Sequence, residues 1–237
     1  MLLGPCVNPH RLPSGGRNFE SYSEDVYLSA RMGVNFIKAI QNENVVACVK
    51  HYAGNEQEWE RNNVNSVIDE RSLREAYLYP FEAAVKEAGV LSVMSAYNKI
   101  NGSYASENKY LLTDILKNDW KFKGFVVSDW DATHSTVESA INGLDVEMPQ
   151  PVYFGEKLME AVKAGKVSEE QINDKVRRIL YAKFKAGLFD NQPKPDSSLV
   201  NSTDHQNIAL EVARKSIVLL KNENSILPID KSKIKSI

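Results

Sequence analysis

Gly124-Phe-Val-Val-Ser128 is a short apolar run that leads into the carboxylate of Asp129 and then Trp130. Phe125, Val127 and Asp129 share one face by the strand period of two. Similar runs lie on either side of it, at Leu2–Val7, Val45–Lys50, Val90–Ala96 and Leu144–Met148. Most of the intervals between them leave room for a helix, which is the pattern of parallel β-α-β units. Five such units over residues 1–189 predict an α/β fold, a partial (β/α)8 barrel of the TIM type that lacks its first strands. A doubly wound open sheet is the alternative. Neither G-x-G-x-x-G nor G-x-x-x-x-G-K-[ST] is present to support it.

Helix signals punctuate the intervals. Ser23 before Glu24 and Asp25 reads as an N-cap with acidic residues in the first turn, opening a helix that runs to about Asn42. Ser72-Leu-Arg-Glu75 fits a capping box, and Pro80 should kink or restart the helix that follows. Ser168-Glu-Glu-Gln171 is a second capping box. After it Ile172, Val176, Ile179, Leu180 and Phe184 form one apolar face, and Gly187 is the expected stop. Residues 191–198 carry turn residues without periodicity and read as a linker. An amphipathic helix (His205 to Lys215) and the apolar runs Ser216–Leu220 and Ile226–Ile229 follow. Residues 190–237 are therefore expected to hold a linker, a helix and the opening of a second domain.

The composition narrows the function. Of 237 residues, 29 are Lys or Arg and 31 Asp or Glu, a formal charge of -2. Nucleic acid is not the expected partner, because phosphate neutralisation needs a basic surface. No apolar run approaches the ~20 residues of a membrane span. Two cysteines cannot staple a chain of this size, and both fall in strand-like runs, so buried reduced thiols are expected at Cys6 and Cys48. The start carries no signal-peptide pattern, and both ends cut through strand-like texture, so the chain is expected to be a piece of a longer product. The four histidines show no metal-ligand spacing, and no cofactor signature is present.

In a parallel barrel the chemistry sits where strands end. Here each strand candidate runs into polar residues: Asn8-Pro-His-Arg11 and Gly15-Gly-Arg17-Asn-Phe-Glu20; Lys50-His51-Tyr52 and Asn55-Glu-Gln-Glu58-Trp-Glu-Arg61; Met94-Ser-Ala-Tyr97-Asn98; Ser128-Asp129-Trp130-Asp131; and Glu147-Met-Pro149. Cations, amides, aromatics and carboxylates together suit a neutral polyol such as a sugar. Asp129 is the sharpest candidate, a carboxylate nucleophile attacking a sugar C1 to form a covalent glycosyl-enzyme, with Arg17 or Lys50 keeping it ionised. A helix N-cap or turn aspartate is the competing reading. Asp131, Glu56, Glu58 and Glu147 are rival carboxylates. Lys50 and His51 point to opposite faces of a regular strand. For both to meet one ligand the backbone must depart from that geometry, as at a non-proline cis peptide. By default Arg17 and Arg61 are surface ion-pair residues, Met94 and Tyr97 core packing, and Trp130 a core or rim aromatic.

Taken in order, Gly15-Gly-Arg17-Asn-Phe-Glu-Ser-Tyr-Ser-Glu-Asp25, Lys50-His51, Asn55-Glu-Gln-Glu-Trp-Glu-Arg61, Met94-Ser-Ala-Tyr97-Asn98, Ser128-Asp129-Trp130 and Glu147-Met-Pro149 resemble glycoside hydrolase family 3, most of all its β-glucosidase and β-xylosidase branch. Ser216-Ile-Val-Leu-Leu-Lys-Asn-Glu-Asn-Ser-Ile-Leu-Pro228 is similar to the segment that opens that family's second, α/β sandwich domain. The resemblance implies retaining hydrolysis of terminal non-reducing β-D-glycosyl residues in an oligosaccharide or β-glucoside. Asp129 matches the nucleophile. Arg17, Lys50, His51 and Arg61 match positions that hold the terminal sugar's hydroxyls. Trp130 matches a flanking aromatic, Tyr97 a tyrosine near the nucleophile, and Met94 a pocket wall. A sugar-binding Asp of the family lies upstream of this chain. The branch's acid/base Glu lies in the second domain, of which only the start is here. The His-Asp loop that another branch uses is replaced after His51 by Tyr-Ala-Gly-Asn-Glu-Gln. The acid is thus unassigned, and the chain alone is expected to be weak or inactive, completed by the remainder of its polypeptide. A Schiff-base lyase acting through Lys50 and a non-catalytic sugar-binding piece are the other two readings.

Overall fold

The computed structural model describes all residues except 191–195, 235 and 237. Its centre is a parallel sheet of four strands, β1 (Cys48–Tyr52), β2 (Ser92–Ser95), β3 (Phe125–Trp130) and β4 (Val146–Met148), paired in chain order. The crossovers carry α2 (Tyr79–Lys86), a π-helical segment Tyr110–Asp119 and the short α3 (Val137–Asn142). The observed class is α/β. α1 (Val26–Asn42) precedes β1 and packs against α2, while α4 (Glu156–Lys163) and α5 (Glu169–Lys185) follow β4.

The expected strand at Leu2–Val7 is a correction. It is not a continuous strand but two isolated parallel bridges, Leu2 to Ala47 and Cys6 to Lys50. Pro5 lies between them and has no N–H to give a ladder. Its carbonyl still accepts the Lys50 N–H at 3.0 Å. The other four candidates are strands, with boundaries shifted by a few residues.

Alternation sorts the side chains. Val49, Val93 and Val126 join Ile37, Phe81 and Ile115 in the main core beneath the helices. Cys48, Met94 and Val127 form a smaller cluster on the other face, packed by Leu3, Val146 and Met148. Both cysteines are buried free thiols, as expected. Burial pushes the Cys48 thiol up to about 12.

Two caps differ from expectation. α1 is capped by Asp25, whose carboxylate accepts the N–H groups of Tyr27 and Leu28, and Ser23 lies outside it. At the second site Asp69, not Ser72, caps the short helix Glu70–Ser72 by accepting the Ser72 N–H. A side chain accepts from residues two or three ahead, so the acidic residue nearer the first turn wins in both cases. Pro80 sits in the first turn of α2, a restart rather than a kink. Ser168 and Gln171 make the reciprocal capping box that opens α5.

The chain divides into two units, residues 1–192 and 193–237. The second holds α6 (Thr203–Ser216), capped by Ser202. Residues 217–220 and 226–229 form no strands, and part of the expected linker and of the final alternating run lies outside the described residues.

The approach to β4 is held by a buried charge cluster. Asp145 accepts the Val126 N–H at 2.7 Å and Lys117 Nζ at 2.8 Å, with Lys175 Nζ at 4.0 Å. Lys175 donates to the carbonyls of Ala140 and Leu144 at 2.6 and 2.7 Å, and burial lowers its ammonium to about 8. Asp145→Ala leaves two buried ammoniums without their counter-charge. It is expected to destabilise the chain by about 3–5 kcal/mol, read as a fall in the urea unfolding midpoint. A midpoint at the wild-type value would show that the cluster carries no such weight.

Candidate active site

The strands β1 and β3 each carry an irregularity at the end where polar residues gather. In β1, Val49 pairs with Val93 but Tyr52 with Ser95, so three steps oppose two across Lys50 and His51. In β3, Val127 pairs with Val146 but Trp130 with Met148, so the extra residue falls at Ser128 and Asp129. Such bulges re-aim side chains. The Lys50–His51 and Tyr52–Ala53 peptides are both cis.

Asp129 lies 6 % exposed at this end of β3. Its Oδ1 accepts the Trp130 N–H at 2.8 Å. Its Oδ2 is buried and accepts no hydrogen bond from the described residues. His51 Nε2 lies 3.4 Å from Oδ2. One oxygen is thus fixed and the other bare. No helix begins here for the side chain to cap, which separates Asp129 from the N-cap reading. Burial raises its carboxyl above the usual aspartate range. The Trp130 N–H, the Tyr97 hydroxyl and the charges of Arg17 and Arg61 oppose that rise without cancelling it. Arg17 pulls the carboxyl down in the expected direction, but burial outweighs it.

His51 is buried. Burial, with the charges of Arg17, Lys50 and Arg61, holds its imidazole well below the ordinary range, so the ring is neutral at neutral pH. Its Nδ1 lies 3.8 Å from Cys6 Sγ. Lys50 Nζ sits 3.2 Å from Glu20 Oε2, and Arg17 Nε bonds the other oxygen of the same carboxylate. Burial raises Glu20, but Arg17 and Lys50 outweigh it and leave the carboxyl lowered. Arg61 pairs with Glu58 and lies over the Tyr97 ring, 4.1 Å from its centroid. Burial and Asp129 push the Tyr97 hydroxyl up to about 12.

The structure therefore brings together Arg17, Lys50, His51, Arg61, Tyr97 and Asp129. Trp130 is at the rim, 37 % exposed. Met94 is 2 % exposed and packs against Cys48 and Val127, opposite Val127 in register and one pleat below Asp129. Of the rival carboxylates, Glu147 accepts the N–H groups of Tyr153 and Phe154, and Glu58 is tied to Arg61. A roomier cavity of about 440 Å³ lies elsewhere, lined by Phe154, Leu158 and Met159 on one side and Ile172 on the other, and holds none of these groups.

Glycines let the loops close. Gly16 has φ +88°, and a Cβ there would stand 2.8 Å from Glu58 Cγ, so the Arg17 loop presses on the Arg61 loop. Gly54, at φ +79°, would bring a Cβ to 2.3 Å from Ile100 Cδ1.

Sequence reading missed Glu20 as the shared partner of Arg17 and Lys50, and Asn8 and Cys6 as neighbours of His51. An asparagine after a strand carries no signal of its own when its partner is 43 residues away. Among the described residues no group of three or more His, Cys, Asp or Glu is placed to hold a metal ion.

The family model described as the glycosyl hydrolase family 3 N-terminal domain matches residues 1–182. Beta-glucosidase B of Emericella nidulans is 45 % identical over 233 residues, covering 98 % of this chain and 28 % of the relative. Thermostable beta-glucosidase B of Acetivibrio thermocellus is 48 % identical, covering 98 % and 30 %. The chain thus spans less than a third of the length of these curated relatives. Among solved structures, beta-glucosidase 3B from Thermotoga neapolitana in complex with alpha-D-glucose superposes with a TM-score of 0.89 at 43 % identity, over 97 % of this chain and 33 % of that one. Beta-D-glucoside glucohydrolase from Trichoderma reesei gives 0.91 at 39 %, over 97 % and 31 %.

Glu56 supplies a test of the local electrostatics. Burial raises its carboxyl from 4.5 to about 7 against the pull of Asn8 and Arg11. Between those values the folded chain holds a proton that the unfolded chain has lost, so stability falls as pH rises through the window. Glu56→Gln cannot ionise. Its melting temperature relative to wild type should climb from about pH 4.5 to about pH 7 and level off above. A difference that stays flat with pH, followed by circular dichroism, would contradict the burial of this carboxyl.

Proposed function

Because the chain belongs to glycosyl hydrolase family 3, we propose that the site is the nucleophile and sugar-holding part of a retaining β-glycosidase that acts on terminal non-reducing β-D-glycosyl residues. The bare, buried Oδ2 of Asp129 is the observation that carries this reading. An oxygen that accepts no hydrogen bond keeps its lone pairs for an incoming carbon, while the Trp130 N–H fixes the other oxygen and so the direction of attack. In the proposed step Oδ2 bonds to the anomeric carbon as the bond to the leaving oxygen breaks, and the leaving oxygen takes a proton from a general acid. Water then hydrolyses the ester and restores the carboxylate.

The cations suit the other half of the task. Lys50, Arg17 and Arg61 are each tied to a carboxylate, so donors and acceptors alternate as a ring of hydroxyls requires. Neutral His51 donates or accepts without adding charge beside the nucleophile. Trp130 at the rim would flank the sugar subsites, and Met94 would form part of the pocket wall. Lys50 Nζ is held 3.2 Å from Glu20 Oε2 rather than left free to approach a carbonyl carbon, which argues against a Schiff-base lyase. The relatives named beta-glucosidase, and the solved complex with glucose, support glucose as the sugar.

The parallel sheet is, in the same reading, an arc of a (β/α)8 barrel over residues 1–189. Residues 190–237 are the linker, helix and opening of an α/β sandwich domain, and the remainder of the polypeptide supplies the acid.

An activated 2-deoxy-2-fluoro-β-glucosyl fluoride should label the chain on Asp129, located by mass spectrometry of a digest. Label on Asp131 or Glu147 instead would overturn the assignment. Asp129→Asn should take no label while melting at or above the wild-type temperature, since it removes a buried charge. With no acid assigned, hydrolysis of a disaccharide should be slower than that of an activated aryl glucoside by about 10²–10⁴ beyond their intrinsic difference. Equal acceleration of both by the chain would place an acid within it.

A further inference from the structure

The bulge in β1 raises a question of hydrogen bonding. A buried backbone N–H and C=O must find partners, and at His51 the ladder to β2 is out of register. Both groups are met by one side chain. Asn8 Oδ1 accepts the His51 N–H at 2.7 Å, and Asn8 Nδ2 donates to the His51 carbonyl at 3.0 Å. The amide of Asn8 thus does for His51 what a neighbouring strand's peptide would do. Asn8 is 5 % exposed.

A side-chain amide can sit either way round, and only one way serves. Asn8 Nδ2 also donates to Glu56 Oε1 at 3.2 Å, and Cys6 Sγ donates to Asn8 Oδ1 at 3.5 Å. A flipped amide would set donor against donor at the His51 N–H, and acceptor against acceptor at the His51 carbonyl and at an ionised Glu56. The partners on each side therefore select the same orientation. The imidazole beyond this peptide ends 3.4 Å from Asp129 Oδ2.

We propose that Asn8 is a positioning residue that clamps the His51 peptide and so sets the ring against Asp129, with Glu56 fixing the orientation of the clamp. The consequence for catalysis rests on the reading of Asp129 as nucleophile; the clamp itself does not. A segment that forms no continuous strand is thereby tied to the His51 peptide by a side chain. A small error in ring placement is costly where reacting atoms must align.

Asn8→Asp tests this, because it is close to isosteric yet loses both donor bonds and sets a carboxylate against Glu56. In the full chain, Asn8→Asp and Asn8→Ala should exchange the His51 amide hydrogen about tenfold faster or more. Both should shift the His51 ring nitrogen resonances and slow fluoro-sugar labelling of Asp129 by about 10–100-fold. Glu56→Ala should show the same exchange and ring changes in part, and Glu56→Gln, which keeps an acceptor for Nδ2, should restore them to wild type. If the Asn8 variants do not fold, the Glu56 pair decides. The proposal fails if Asn8→Asp leaves His51 exchange and ring signals at their wild-type values, or if Glu56→Ala and Glu56→Gln behave alike. If wild type shows the expected exchange pattern but no label on Asp129, the nucleophile reading fails and the clamp stands.

Discussion

The approach of His51 Nε2 to Asp129 Oδ2, at 3.4 Å, is the contact on which the site depends. It joins two strands that are not neighbours, since β2 lies between β1 and β3. Two regular strands would present these residues by strict alternation. Here each strand carries one extra residue at the same end. Those two departures turn the polar ends toward one another over a face whose lower level is apolar, where Cys48, Met94 and Val127 pack. The sheet supplies a dry floor, and its irregular ends supply the chemistry.

Charge is arranged so that burial can be tolerated. Asp129 is nearly buried without a directly bonded cation, and its carboxyl rises accordingly. The surrounding cations are themselves paired, Arg17 and Lys50 with Glu20, Arg61 with Glu58. Arg17 and Arg61 contribute a field at Asp129 rather than a bond, because their side chains are paired with their own carboxylates. Burial, together with the charges of Arg17, Lys50 and Arg61, holds His51 neutral. A site built this way has a carboxylate with one free oxygen, a neutral ring beside it and paired cations around it. Under the proposed function, that combination would stabilise charge developing on a substrate without a bound water having to reorganise.

Local polar bonds hold the loops that carry these groups. The positive φ of Gly16 and the close approach of its backbone to Glu58 let the Arg17 and Arg61 loops meet. Asn8 joins the first segment to His51 across 43 residues of sequence. These are small features, yet each couples segments that are distant in the sequence.

Most of the sheet was legible in the residues. Four of the five apolar runs are strands, because period and β-branched content are local properties. The Ser168 capping box and the Gly187 stop were legible for the same reason. Leu2–Val7 was misread because a proline inside an apolar run changes pairing, not hydropathy. Ser23 and Ser72 were misread because an aspartate two residues after the first and three before the second offered a better-placed acceptor. The grouping of Arg17, Lys50, His51, Arg61, Tyr97 and Asp129 was suggested by the resemblance of their motifs to a family, since by residue type alone Arg17 and Arg61 read as surface ion pairs and Tyr97 as core. The sharing of Glu20, the clamp at Asn8 and the rise of the Asp129 carboxyl were not, since they depend on which loops meet.

The amino-acid sequence by itself determined the class of fold, the order of its strands and the inventory of groups at their ends, because hydropathy period and strand-end polarity are written along the chain. Only the tertiary structure decided which oxygen of Asp129 is bare, which cations are paired and how His51 is held. Those depend on the register between strands and on burial, and a bulge of one residue changes both without leaving a mark in the local pattern.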